Sequence, residues 1–124
     1  MTKLFLMLGS LGGLLSVALG AFAAHGLKSK LSESLLHTFQ TAVEYQFFHS
    51  LVLLVIGILL IHKPNANTFK NAGYFVFTGI LLFSGSLYFI ALTSTTTLGI
   101  VTPIGGVFFI IGWLLLTIGS WKEF

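Results

Sequence analysis

The sequence predicts an all-α protein: a compact bundle of four transmembrane helices, with a short amphipathic segment at the membrane interface between the first and second. Three observations predict it. Hydrophobic residues make up 56% of the 124-residue chain and charged residues 7%, where a soluble domain carries about 25% charged residues. Four long apolar runs recur, covering residues 4–24, 44–62, 71–92 and 103–121. Each is close to the roughly 20 residues a helix needs to cross a hydrocarbon core of about 30 Å. Finally, no charged residue interrupts the chain from residue 71 to residue 121. Backbone groups in lipid must pair within the protein, so runs without barrel-type alternation are read as helices. The length fits a single integral-membrane domain, residues 1–124, with no room for a separate soluble module.

The first run, "LFLMLGSLGGLLSVALGAFAA", follows Lys3 and contains "AFA", which mimics a signal-peptide cleavage pattern. It is long for a signal sequence and glycine-rich throughout, so a retained helix is expected. The segment from His25 to Gln46 is neither fully apolar nor fully polar. Ser32 is placed to cap a helix starting at Glu33. From there Glu33, His37, Gln40 and Glu44 fall on one face, with Leu35, Leu36, Phe39, Ala42 and Val43 on much of the rest. That pattern predicts an interfacial amphipathic stretch, with a bend before the second span. "KPNAN" at 63–67 stops the second helix and turns the chain. "TSTTTLG" at 93–99 is an uncharged turn, after which Thr102 is placed to cap the fourth helix and Pro103 to occupy its first turn.

With four spans, Lys3, Lys63, Lys70 and Lys122 share one side of the membrane and Lys28 and Lys30 the other. The excess predicts a multi-pass membrane protein with both termini in the cytoplasm. The expected packing seam runs along Gly9, Gly13, Ser16 and Gly20 of the first helix, broadened by Gly12, and along Gly105 and Gly112 of the fourth. Small side chains there let backbones approach closely. Bundle packing is the simpler use of that seam, and a dimer interface the competing one.

Composition and motif content exclude several functions. Six scattered lysines, no arginine and a formal charge of +3 do not make a nucleic-acid surface. Without cysteine there is no disulfide, thiolate site or iron–sulfur ligation. There is no phosphate-binding loop, dinucleotide fingerprint or nucleophile elbow. His25, His37 and His49 recur at twelve-residue intervals, about 18 Å apart along one helix, too far for two on that helix to share an ion. No catalytic residue, cofactor or metal is therefore expected.

The chemistry that remains lies around "TAVEYQFFHSL", residues 41–51. Gln46 and His49 share a helix face, whereas Glu44 lies about 140° from His49 on an ideal helix. Two separate contacts are expected. Glu44 should meet His25 at the boundary of the first two helices. Gln46 and His49 should turn inward toward Ser84, Ser86 or Tyr88 of the third. The bland use of this cluster is helix pairing; the sharper use is a proton relay or ligand contact, since ionisable groups at membrane depth are functional candidates. Trp113 is expected to pack against a helix or lipid, and Trp121 beside Lys122 to anchor at the interface.

Four segments together resemble a known family: "GAFAAHGLK" (20–28), "FQTAVEYQFFHSLVLL" (39–54), "GILLFSGSLYFIALT" (79–93), and "TPIGG" followed by "GW" (102–106, 112–113). The chain resembles the small multi-pass membrane proteins of domain of unknown function family 423, also called uncharacterised protein family 0382, related to eukaryotic transmembrane protein 256. Ala23 stands where the family pattern usually has glycine. The resemblance implies a multi-pass protein of the bacterial plasma or inner membrane without an assigned chemistry. The residues it carries over are His25, Gln46, His49, Ser84, Gly85, Ser86, Tyr88, Pro103 and Gly105. The function expected is a non-enzymatic structural or accessory protein of the membrane, with lipid and a homo-oligomer or membrane-protein partner around it. The alternative is a small proton-linked transporter or channel, oligomeric, using the His25/Glu44/Gln46/His49 region.

Overall fold

The computed structural model describes residues 1–124. Four helical spans run antiparallel in chain order: Thr2–Leu27, Glu33–His62, Asn67–Thr93 and Thr97–Glu123, each long and apolar enough to cross a membrane. The first is helix α1 (Thr2–Phe22) closed by one wide π-helical turn, Ala23–Leu27. The second is a single helix, α2 (Glu33–His62). The third is α3 (Asn67–Gly79) and α4 (Gly85–Thr93), joined by a π-helical turn over Ile80–Ser84. A 3₁₀ turn, Thr97–Ile100, leads into α5 (Val101–Glu123).

Two local expectations are corrected. The bend before the second span is absent, because α2 runs through all 30 residues without a break. No glycine or proline interrupts it before Gly57, and Ser32 caps it by accepting the Leu35 amide at 3.2 Å. At about 45 Å, α2 exceeds the hydrocarbon core by several turns, so the amphipathic stretch is its projecting end. Thr102 does not cap the fourth span: the helix begins earlier, and its hydroxyl pairs with Ser86 instead. Pro103 does lie in the first turn of α5, where its missing N–H costs nothing. α4 ends at Ser94, a left-handed residue (φ 58°) whose amide bonds the Ile90 carbonyl.

The spans pack chiefly as neighbours in sequence: α1 on α2, α2 on the third span, and the third span on α5. Their contact stripes alternate steps of four and three residues. In α1 the stripe is Phe5, Gly9, Gly12, Ser16, Leu19 and Ala23; in α5 it is Gly105, Phe109, Gly112, Leu116 and Gly119. That period of 3.5 is the seam of left-handed helix packing. It keeps Gly9, Gly12 and Ser16 of the seam expected in α1 and leaves out Gly13 and Gly20. A Cβ at Gly13 would meet nothing within 4 Å, and one at Gly20 would reach only Val43, at an ordinary 3.5 Å. At Gly9 it would lie 2.8 Å from the Ser50 carbonyl oxygen; at Gly105 it would strike the Phe83 backbone, and at Gly112 it would lie 2.6 Å from Val76.

Two apolar clusters form the core. One surrounds Phe5, Leu53, Ile56, Phe69 and Val76, near the end that carries Lys63; the other joins Ala23, Leu27, Phe39 and Ala91 at the opposite end. Along α2, Gln46, His49 and Ser50 lie between them, all buried. Apolar residues cover the outside: Leu14, Val17 and Ile110 are each about two-thirds exposed, as a lipid-facing surface requires.

Candidate functional site: a polar layer across the bundle

The inward face of α2 carries a polar layer at mid-height. Gln46 is 6% exposed and joins three spans. Its Nε2 donates to the Gly12 carbonyl at 2.9 Å, and its Oε1 accepts the Tyr88 hydroxyl at 2.6 Å. The orientation of the amide is fixed by the first bond, because a carbonyl can only accept. The Gly12 carbonyl also accepts the Ser16 hydroxyl at 2.7 Å, so this one backbone oxygen ties α1 to itself and to α2. Lacking a side chain, Gly12 brings α2 near enough for these bonds: a Cβ there would overlap the Ser50 hydroxyl. Ser50 is the one buried side chain whose polar atom has no hydrogen-bond partner. Its Oγ faces the Cα of Gly12, the arrangement of a weak Cα–H···O contact.

His49 lies three residues further along α2 and 5% exposed. Its Nδ1 is 2.8 Å from the Tyr45 carbonyl and its Nε2 is 3.1 Å from the Trp113 indole nitrogen. A carbonyl only accepts and an indole N–H only donates. The two bonds together define a neutral ring with its proton on Nδ1. The ring stacks on Phe109, centroids 3.6 Å apart, and meets Trp113 edge-on. Tyr45 lies beside this pair, its ring centroid 6.0 Å from His49 and 6.2 Å from Phe109, and packs against Phe83. A groove of about 420 Å³ between α2, α5 and Phe83 opens beside this aromatic group.

The serines complete the layer. Ser84, at the end of the π turn, donates to the Ala42 carbonyl at 2.8 Å and so joins the third span to α2. Ser86 donates to the Phe83 carbonyl at 2.9 Å and shares a 2.5 Å bond with Thr102, joining the third span to the start of α5. The π turn makes this division possible. It widens the helix by one residue over Ile80–Ser84, so Ser84 faces α2 while the backbone of Phe83 lies against Gly105.

The sequence-predicted site residues therefore separate into two groups. Gln46, Tyr88, Ser84, Ser86 and His49 are brought into one layer, with His49 reaching α5 rather than the third span. His25 and Glu44 are not brought together: both are exposed, on the outer surface, with no hydrogen bond or ion pair between them. The wide turn over Ala23–Leu27 buries Ala23 and Leu27 and leaves His25 outside. Glu44 lines a groove of about 330 Å³ between α1 and α2, with Ser16, Val17, Gly20, Gln40, Val43 and Phe47. The histidines and acids are nowhere gathered in threes around a common point. Sequence reasoning missed the Gly12 carbonyl, Thr102, Phe109 and Trp113. The 3.5-residue spacing through Gly12, and through Phe109 in α5, was the signal that pointed to two of them.

Comparison with known proteins agrees with this fold. The family model described as "Protein of unknown function (DUF423)" matches residues 19–106. A UPF0382 membrane protein of Staphylococcus epidermidis is 50% identical over 120 residues, covering 97% of each chain. One from Staphylococcus saprophyticus is 48% identical over 97% of this chain and 98% of its own. Another from Bacillus subtilis is 42% identical with the same coverage. No solved structure matches the chain.

Proposed function

The chain belongs to the DUF423 (UPF0382) family of membrane proteins, and from that premise we propose that it acts as a structural or accessory protein of the plasma membrane, without enzymatic activity. One observation carries the reading: apart from Ser50, the polar side chains inside the bundle that transport or catalysis would need free are engaged in hydrogen bonds. Gln46, Tyr88, Ser84, Ser86, Thr102, His49 and Trp113 are all used in bonds between or within spans. Buried polar groups bonded in this way fix one arrangement of helices rather than line a path. The lysine bias supports an orientation with both termini in the cytoplasm, since Lys3, Lys63, Lys70 and Lys122 share one end and Lys28 and Lys30 the other. The lipid-facing surfaces of α1 and α5 leave room for a second copy or a membrane-protein partner.

A second reading, a proton-linked transporter, has its own observation. Glu44 is an exposed carboxylate on a membrane-spanning helix, below His37 and Gln40 on the same face. Reconstituted vesicles separate the two. The structural reading expects solute and proton flux equal to that of empty vesicles, and a stoichiometric protein partner in a mild-detergent pull-down. Flux driven by pH or potential, and lost in Glu44→Gln with the fold intact, would defeat it.

A further inference from the structure

Glu44 stands apart from everything the polar layer uses. Of the three acids in the chain, Glu33 begins α2, Glu123 ends α5, and Glu44 alone lies within a span. It is 19 residues from Lys63 along an unbroken helix, or about 28 Å. With Lys63 at one edge of a hydrocarbon core of about 30 Å, that places Glu44 at the other edge, where headgroups meet acyl chains. Its carboxylate is exposed and has no ion pair or hydrogen bond within the chain. Its stem lines the groove between α1 and α2, whose remaining wall is Ser16, Val17, Gly20, Val43 and Phe47, with Gln40 one turn above. An unpaired carboxylate at that level needs a cation, and an apolar groove running inward from it needs an apolar chain.

We propose that this groove binds an aminophospholipid, its ammonium on Glu44 and one acyl chain laid over Val17 and Phe47. Phosphatidylethanolamine is the chemistry that fits. It presents a primary ammonium able to donate three hydrogen bonds, and a phosphate that Lys28 and Lys30, exposed at the same end, can attract. An anionic headgroup without an amine would meet the carboxylate as a like charge. The inference concerns the outer face of α2 and does not depend on the polar layer, so it survives if the structural reading above fails.

The test uses the full chain in vesicles of equal parts phosphatidylethanolamine and phosphatidylglycerol. The protein is extracted in mild detergent, and retained lipid is identified by native mass spectrometry. The expected result is phosphatidylethanolamine retained over phosphatidylglycerol by about two- to fivefold, the range for an exposed ion pair. That preference should vanish in Glu44→Gln and persist in Glu123→Gln. Val17→Trp, which fills the groove from an exposed position, should lower retention of both lipids. Circular dichroism confirms that each variant is folded. Equal retention by the parent protein, a preference for phosphatidylglycerol, or a preference unchanged in Glu44→Gln overturns the proposal. So does a cationic protein that co-purifies stoichiometrically and is lost in Glu44→Gln, since it would make the occupant a protein.

Discussion

The two faces of α2 over residues 40–51 hold similar residues in opposite circumstances. Inward, Gln46 and His49 have partners on every polar atom that geometry assigns to them, drawn from α1, α4, α5 and their own helix. Outward, Gln40 and Glu44 are exposed beside an open groove. The difference is one of rotation: two residues separate Glu44 from Gln46, or about 200° around the helix. A polar residue in a membrane protein is thus structural or open to a ligand according to the face it occupies. Chemistry alone does not distinguish them, because both faces offer an amide and an ionisable group.

The largest expected effects come from carrying this contrast to adjacent glycines. A Cβ at Gly105 would strike the backbone of Phe83, which cannot rotate away, whereas one at Gly106 comes no nearer than 4.0 Å to the Phe83 ring. Gly105→Ala should therefore destabilise by about 1–3 kcal/mol or more through overpacking. Gly106→Ala should be neutral or stabilising by up to about 1 kcal/mol, the helix-propensity gain over glycine. The same contrast holds in α1 between Gly9, packed on Ser50 and Leu54, and Gly13, which faces open space. Thermal unfolding in one detergent measures all four. Equal losses within either pair would mean that the inner and outer faces have been misassigned.

Next in size is the comparison between Gln46 and Glu44 themselves. Gln46→Leu removes bonds to Gly12 and Tyr88 at once and leaves a phenol hydroxyl without its acceptor. Hydrogen bonds between membrane helices average about 0.6 kcal/mol and reach about 1.7, so the variant should lose about 1–2 kcal/mol. Tyr88→Phe should lose less, because Gln46 keeps its bond to Gly12. Glu44→Gln should change stability by no more than about 0.5 kcal/mol, as for an exposed site. A Glu44→Gln loss as large as that of Gln46→Leu would show that the carboxylate has an interior partner.

How much of this was legible in the sequence follows the same division. Apolar length fixes the number of spans, and Ser32 before Glu33 marks the start of α2, because both signals are local. The inward turn of Gln46 follows from angular spacing on one helix, which leaves Ser84, Ser86 and Tyr88 all open as partners; the structure selects Tyr88. What spacing could not supply was the partner helix for His49. That depends on the order in which spans pack, and on Phe109 and Trp113 standing a full loop and helix away. The Gly13 error has a definite cause: Gly12 and Gly13 are equally small neighbours, and size alone does not say which of them the 3.5-residue repeat passes through. The π turn over Ile80–Ser84 leaves no sequence mark of its own. Without it the faces of Ser84 and Ser86 could not be assigned, although both residues were singled out. His25 was paired with Glu44 because they border the same connection, but the wide turn that ends α1 carries His25 to the outside.

Comparable in size to the Glu44→Gln effect, and the most specific of all, is the loss expected at Trp113. The Trp113 indole donates to His49 Nε2 while the ring's other nitrogen serves the Tyr45 carbonyl. Only one tautomer satisfies both, the neutral ring protonated at Nδ1. Nitrogen-15 spectroscopy of His49-labelled protein in lipid should show Nδ1 carrying the proton and Nε2 bare. Trp113→Phe keeps an aromatic ring near the edge of His49 but removes the donor. It should cost only about 0.6 kcal/mol, the average for such bonds in membranes, a shift that thermal unfolding will barely detect. The nitrogen signal of Nε2 should nevertheless change, because it loses its one partner from α5. Protonation at Nε2 in the parent protein would break the bond to Trp113 and leave His49 facing α5 through the Phe109 stack alone. The inner face of α2 would then hold an open imidazole nitrogen inside the bundle, about 7 Å deeper than Glu44, and the contrast with Glu44 would shrink to a difference of depth.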